Sequence, residues 1–323
     1  MTETQIEPKK TSAWSPSALR AAAILALFLA SMAMIFYFSP NFFHVANLVK
    51  VLVQTATLAI LAIGMTFVMI GGGIDLSLPA NMALAGIVGS MAMIASNSVL
   101  LGCLTMLLAG AFVGALNGIA VAYLRMIPFV VTLATLSVCS GLSVWITNSV
   151  SISNQPEAFY EVFLSRPLGV PTSILIMLAS VVLGHVVMSM TGFGRHLYAV
   201  GTNAAAARIS RVPVQRTLFA TYALAGLLAG VAAIVITARL GSASANVGND
   251  SVILDVVTAC VIGGVSIYGG VGRPIRVLFG AVFVLVMGNV LNLMGISFFI
   301  GLVIKGALII GLVTLDRAVG EIR

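Results

Sequence analysis

Of the 323 residues, 60% are hydrophobic and only 8% charged, too few polar side chains to coat a water-soluble globule, which carries about 25% charged residues. With a mean hydropathy of +1.15, apolar segments dominate the chain, which reads as a polytopic membrane protein. The net charge of +7 sits in short gaps between apolar runs, where basic residues orient helices, so nucleic-acid binding is excluded.

Residues 1–18 form a polar cytoplasmic tail, and 19–323 form a single transmembrane domain. Apolar runs bounded by turn or charge signals fall at 19–38, 51–71, 78–96, 99–122, 127–147, 172–191, 217–238, 252–268, 277–294 and 297–315. The first has no small-residue cleavage site and is read as an uncleaved span, not a signal peptide. The eighth is the weakest, because it ends in the glycine-rich string 263–272, so a broken or re-entrant helix is the alternative to a full crossing. The prediction is an all-α helix bundle of about ten transmembrane helices with both termini cytoplasmic. On that threading twelve Lys and Arg residues fall inside, three fall outside (Lys50, Arg166 and Arg239), and Lys305 remains within the last span.

Two loops exceed plain connector length. The outer one, 148–171, carries Glu157, Glu161 and Arg166 with Phe159, Tyr160 and Phe163. It is either a surface for a soluble partner or a connector. The inner one, 192–216, offers Thr202 and Asn203 as helix N-caps, then four alanines, Arg208, Ile209 and Ser210, and stops at Val212-Pro213. It reads as a short helix outside the membrane, serving as a docking element or as an amphipathic connector on lipid headgroups.

Glycines recur at helical spacing in Gly110, Gly114 and Gly118, and in Gly226 and Gly230, which lets backbones approach closely in lipid. Several polar residues lie within or beside apolar runs and should face protein or water: Asp75, Asn81, Asn117, His185, Asp255, Asn289, Asn292 and Lys305. Lys305 sits about 12 Å from the nearer end of its span. A central lysine costs about 2.5 to 3.5 kcal/mol on the insertion scale, so it needs a carboxylate or several carbonyls as partners, with Asp255 and Asp75 the carboxylates on offer. The pair belongs either to a pathway or to structure. Asn289 and Asn292, three apart, could line a hydrated route for a neutral polyol or hydrogen-bond between helices. His185 reads as a hydrogen-bonded packing residue, and Cys103, Cys139 and Cys260 as packing residues without metal or redox spacing.

Catalytic motifs are missing. The string at 263–272 is not followed by Lys-Ser or Lys-Thr, no GxxxxGK[ST] occurs, and neither HExxH nor a nucleophile elbow is present. No cofactor or metal is expected, and transport is the default function.

Four strings in order carry a family resemblance: GGGIDLS at 71–77, IPFVVTLATL at 127–136, GTNAAAARIS at 201–210 and VIGGVSIYGGVGR at 261–273. GNVLNLMGIS and VIKG continue it towards the C-terminus. Together they resemble the inner-membrane permease subunits of bacterial ABC importers for monosaccharides, the ribose, xylose, arabinose and autoinducer-2 group. The resemblance implies that 203–210 is a coupling helix seated on a separate cytoplasmic ATPase, which binds the ATP, with Gly201, Asn203, Arg208, Ser210 and Arg211 at the coupling site. It also implies a second permease copy or sister permease, a periplasmic sugar-binding protein, alternating access, and a multi-pass location in bacterial inner-membrane lipid. Two positions depart from the family's pattern. Ala204 stands where an acidic residue is common, and Arg211 where glycine is common. The expected pathway residues are Asp75, Asn81, Asp255, Asn289, Asn292 and Lys305. The alternative is an ion-coupled secondary transporter with Asp255, Asp75 and Lys305 as relays.

Overall fold

The computed structural model describes residues 40–248 and 250–320. The N-terminal tail and the predicted span 19–38 lie outside the described residues. Helices α1 (Val45–Ile70), α2 (Leu78–Ser96), α3 (Val99–Ala122), α4 (Pro128–Thr147), α5 (Glu157–Phe163), α6 (Thr172–Met190) and α7 (Gly192–Thr202) are followed by α8 (Ala204–Ile209), α9 (Val214–Leu240), α10 (Asp250–Ile262), α11 (Pro274–Leu293) and α12 (Phe298–Gly320). The described residues contain no strand beyond an isolated bridge between Ile152 and Ala243.

The chain marks many of these boundaries itself. Proline occupies the first turn of α2, α4 and α11, where its missing N–H costs nothing. Ser98, Thr191 and Asn203 cap α3, α7 and α8 with side-chain oxygens. Asn97 and Asn148, in left-handed conformation, end α2 and α4.

Seven described helices, α1, α2, α3, α4, α6, α9 and α11, are long and apolar enough to cross a membrane. They match predicted spans, although α1 begins six residues before the predicted 51 and α9 three before the predicted 217. The span predicted at 297–315 corresponds to the 23-residue α12, which starts one residue later and continues to Gly320.

The segment predicted at 252–268 is helical only as α10, whose 13 residues extend about 20 Å against a hydrocarbon thickness of about 30 Å. The chain leaves α9 at Gly241 and drops back into the bundle. Ala243 lies beside Gly86 in the middle of α2, and a 3-10 turn, Ala245–Gly248, sets Gly248 against Pro79 and Ala80 at the opposite end of α2 from Ser96. Helix α10 therefore starts beside the first turn of α2 and not at the end of the bundle where α9 finishes.

Burial separates the helices into a centre and a rim. Helices α1, α2 and α9 bury most of their length, whereas α3, α4 and α6 turn Leu108, Phe112, Trp145 and Leu183 outward. An outward apolar face of this kind is stable against lipid or against another apolar protein surface. The glycine spacing brings α3 onto α9. A Cβ on Gly114 would lie 2.3 Å from Tyr222 O, and one on Gly226 would lie 2.3 Å from Gly110 O, so the two backbones touch directly.

Candidate functional site

Two regions concentrate polar or exposed groups. The first is the connection from α6 to α9. Asn203 Oδ1 accepts from the backbone N–H groups of Ala205 and Ala206, both at 3.0 Å, and the Asn203 N–H donates to Ala199 O. One residue thus ends α7 and starts α8, the short helix expected from the sequence. Ala207 turns inward with Val200 and Val214, while Ala204, Ala205, Ala206, Arg208, Ser210 and Arg211 are exposed. Ile209 is 86% exposed. Arg211 adopts φ +60°, a conformation that glycine takes more readily.

Gly201 is placed differently from the other expected coupling residues. A Cβ there would meet Ile70 O at 1.7 Å and Gly270 N at 2.7 Å. Its role is close backbone packing beneath the exposed helix.

The second region is the polar set inside the bundle, which does not form one cluster. Lys305 Nζ lies 2.7 Å from Asp255 Oδ1, joining α12 to α10, with side chains 12% and 19% exposed. Asp255 is thus the partner that Lys305 requires. A cavity of about 200 Å³ lies beside Lys305, lined also by Asn292, Ser297, Gly288 and Gly301. Asn289 does not join it. Its amide pairs reciprocally with Asn47 at 3.0 and 3.2 Å, tying α11 to α1.

Asp75 is buried in the turn between α1 and α2. It accepts from the Ser77 N–H at 2.9 Å and the Ser77 hydroxyl at 2.6 Å. Asn117 donates to Ser77 Oγ at 2.9 Å, and Thr135 donates to Asn117 Oδ1 at 2.6 Å. Through this network the turn is fastened to α3 and α4. Asn81 donates to Gly110 O at 3.0 Å beside the close α3 and α9 contact. His185 is within 3.2 Å of Ser189 Oγ, one turn away, and the three cysteines are free thiols.

A further cavity of about 290 Å³ opens among Gly71, Gly72, Gly73, Arg125 and Tyr222. The buried Tyr222 hydroxyl has no hydrogen-bond partner among the described residues. Sequence reasoning missed Tyr222, Asn47 and the Ser77 and Thr135 links. Asn47 precedes the predicted span, and hydroxyl residues in apolar helices carry no signal until a partner is known.

Among the described residues no group of three or more His, Cys, Asp or Glu could hold a metal ion. A multi-pass helical bundle with polar pairs at depth and an exposed capped helix at one end defines a membrane transport protein. Residues 47–313 match the family described as branched-chain amino acid transport system / permease component, and the chain belongs to that family.

It is 35% identical over 311 residues to the ribose import permease protein RbsC of Escherichia coli (strain K12), covering 95% of each chain. Identity to RbsC of Bacillus subtilis (strain 168) is 36% over 281 residues, 86% of this chain and 87% of the relative. Identity to the L-arabinose transport system permease protein AraH of Escherichia coli (strain K12) is 30% over 282 residues, 87% and 85%. No solved structure matches the chain. These likenesses fall on permease components and set aside the ion-coupled alternative.

Proposed function

We propose that this protein is the membrane permease subunit of a bacterial ABC importer for a monosaccharide or related polyol, located in the inner membrane. It forms the passage and does not hydrolyse ATP. A separate cytoplasmic ATPase, a periplasmic sugar-binding protein and a second permease copy or sister permease complete the machine. The sugar assignment is supported by similarity to permeases whose names specify ribose and L-arabinose.

The observation that carries the coupling assignment is the capped helix α8 with Ile209 uncovered between Arg208 and Arg211. An exposed isoleucine flanked by two guanidinium groups suits a protein surface with an apolar pocket and acidic rim. The end of the bundle that carries α8 is assigned to the cytoplasm, where it also presents Tyr268 of the glycine-rich string, 70% exposed.

For the passage, the Asp255 and Lys305 pair and the adjoining cavity with Asn292 are the proposed contacts for sugar hydroxyls. That cavity is smaller than the roughly 300 to 1,000 Å³ typical of drug-sized ligands, which suits a monosaccharide. Asp75, Asn81 and Asn289 are assigned to holding the bundle, because each is engaged with a neighbouring element.

The test is the double variant Arg208→Glu and Arg211→Glu. Reversing both charges is expected to abolish co-purification of the ATPase subunit and ATP-dependent sugar uptake in proteoliposomes, while the permease still elutes as a single species. Unchanged complex yield would reject α8 as the docking element. Uptake of a panel of pentoses, hexoses and polyols by the assembled importer identifies the cargo.

A further inference from the structure

The glycine-rich string between α10 and α11 is not a nucleotide loop, yet its geometry is tightly determined. Gly269 and Gly270 have φ of +90° and +71°, where a side chain would be strained. Both press on neighbouring backbone. A Cβ on Gly269 would lie 2.8 Å from Gly201 O and 3.0 Å from Gly72 Cα, and one on Gly270 would lie 3.0 Å from Thr202 Cα and N. The Gly270 N–H donates to Ile70 O at 2.9 Å. Three segments thus meet with backbone against backbone: the end of α1, the end of α7 and the string.

One side chain reinforces this junction. Tyr198, on α7, donates its hydroxyl to Gly272 O at 2.6 Å. Burial raises the Tyr198 phenol above its ordinary range, partly offset by Arg273, so it remains a neutral donor.

On one side of the junction stands the α7 and α8 elbow. Asn203 locks the two helices at their shared end, and Val200, Ala207 and Val214 pack beneath them. On the other side the string closes on itself through the Ser266 N–H to Val271 O at 2.9 Å and leads back into α10 through the Val265 N–H to Cys260 O at 3.0 Å. Helix α10 carries Asp255, which holds Lys305 beside the cavity. Helix α10 is short, 13 residues entered from the turn that packs on α2, so it is not itself a full crossing.

We infer that Tyr198 and the Gly269 and Gly270 junction are the positioning residues that carry movement of the docking helix to α10, and so to the Asp255 and Lys305 pair. The inference rests on the importer reading and adds to it the route by which ATPase movement reaches the passage. Packed side chains and hydrogen-bonded contacts are a physical route for coupling of this kind. Here each step is one residue or one backbone contact.

The test uses the complete importer, with its ATPase and binding protein, in proteoliposomes. Tyr198→Phe keeps the ring and removes only the hydroxyl. The ATPase is expected to co-purify as with the parent and basal ATP hydrolysis to stay within about twofold, while sugar moved per ATP falls about fivefold, the effect of one lost hydrogen bond. Gly270→Ala, at a position with positive φ and no room, is expected to uncouple more severely with the ATPase still bound.

An unchanged ratio of sugar to ATP in either stably assembled variant would overturn the proposal. Loss of ATPase binding in Tyr198→Phe would also overturn it, since the hydroxyl would then be shaping the docking surface. Failure of the importer reading looks different, because the parent itself would show no ATP-dependent uptake.

Discussion

Lys305 shows what one residue must obtain from its surroundings at membrane depth. Its cost in an apolar span called for a carboxylate or several carbonyls, and Asp255 supplies a carboxylate at 2.7 Å. Removing one member of such a pair leaves the other charged without compensation, which costs about 3 kcal/mol or more. Lys305→Met is therefore expected to lower the thermal midpoint of the detergent-purified protein. The double variant Asp255→Leu and Lys305→Met should recover part of that loss while sugar uptake stays impaired, and a double variant no more stable than the single one would argue against the pairing. The need for a partner was legible because charge in lipid is expensive wherever it occurs. The link between Asn289 and Asn47 was not, since Asn47 lies before the apolar run, in a stretch that also holds His44 and Lys50. Tyr198 escaped notice for a related reason, as nothing in a tyrosine between a leucine and an alanine shows that Gly272 O will be within reach.

For the helices, apolar run length matched α2 and α3 to the residue but placed the starts of α1 and α9 six and three residues too late. It misjudged the extent of α10, because the apolar composition continues through Val265 and Ile267 into a string whose glycines cannot propagate a helix. The re-entry before α10 depends on Gly248 meeting Pro79, a contact between positions 169 residues apart that no local pattern encodes. Glycine spacing, in contrast, marked α3 and α9 as helices able to approach a neighbour closely, though not that they would meet each other. Gly114→Leu would drive a side chain into the backbone of Tyr222, and overpacking of that kind costs about 1 to 3 kcal/mol even where the surroundings relax. The expected outcome is loss of the monodisperse peak in size-exclusion chromatography. An undisturbed elution profile and melting curve would show that α3 and α9 are not held so closely.

Across the whole molecule, the buried trio α1, α2 and α9 forms a fixed centre, and α10 to α12 stand to one side with the ion pair and its cavity. The short α10 also bears on how the protein is made. A segment of 13 residues is too brief to be held in the bilayer by its own hydrophobicity. It depends on the helices that follow it, so a released chain truncated after residue 262, with its native cysteines replaced, is expected to leave this segment accessible to aqueous thiol reagents at an introduced Leu254→Cys. Extension past residue 320 should protect it. Maturation would then depend on late pieces arriving to shelter an earlier one, and a truncated product would be recognised as unfinished by the cell's membrane proteases.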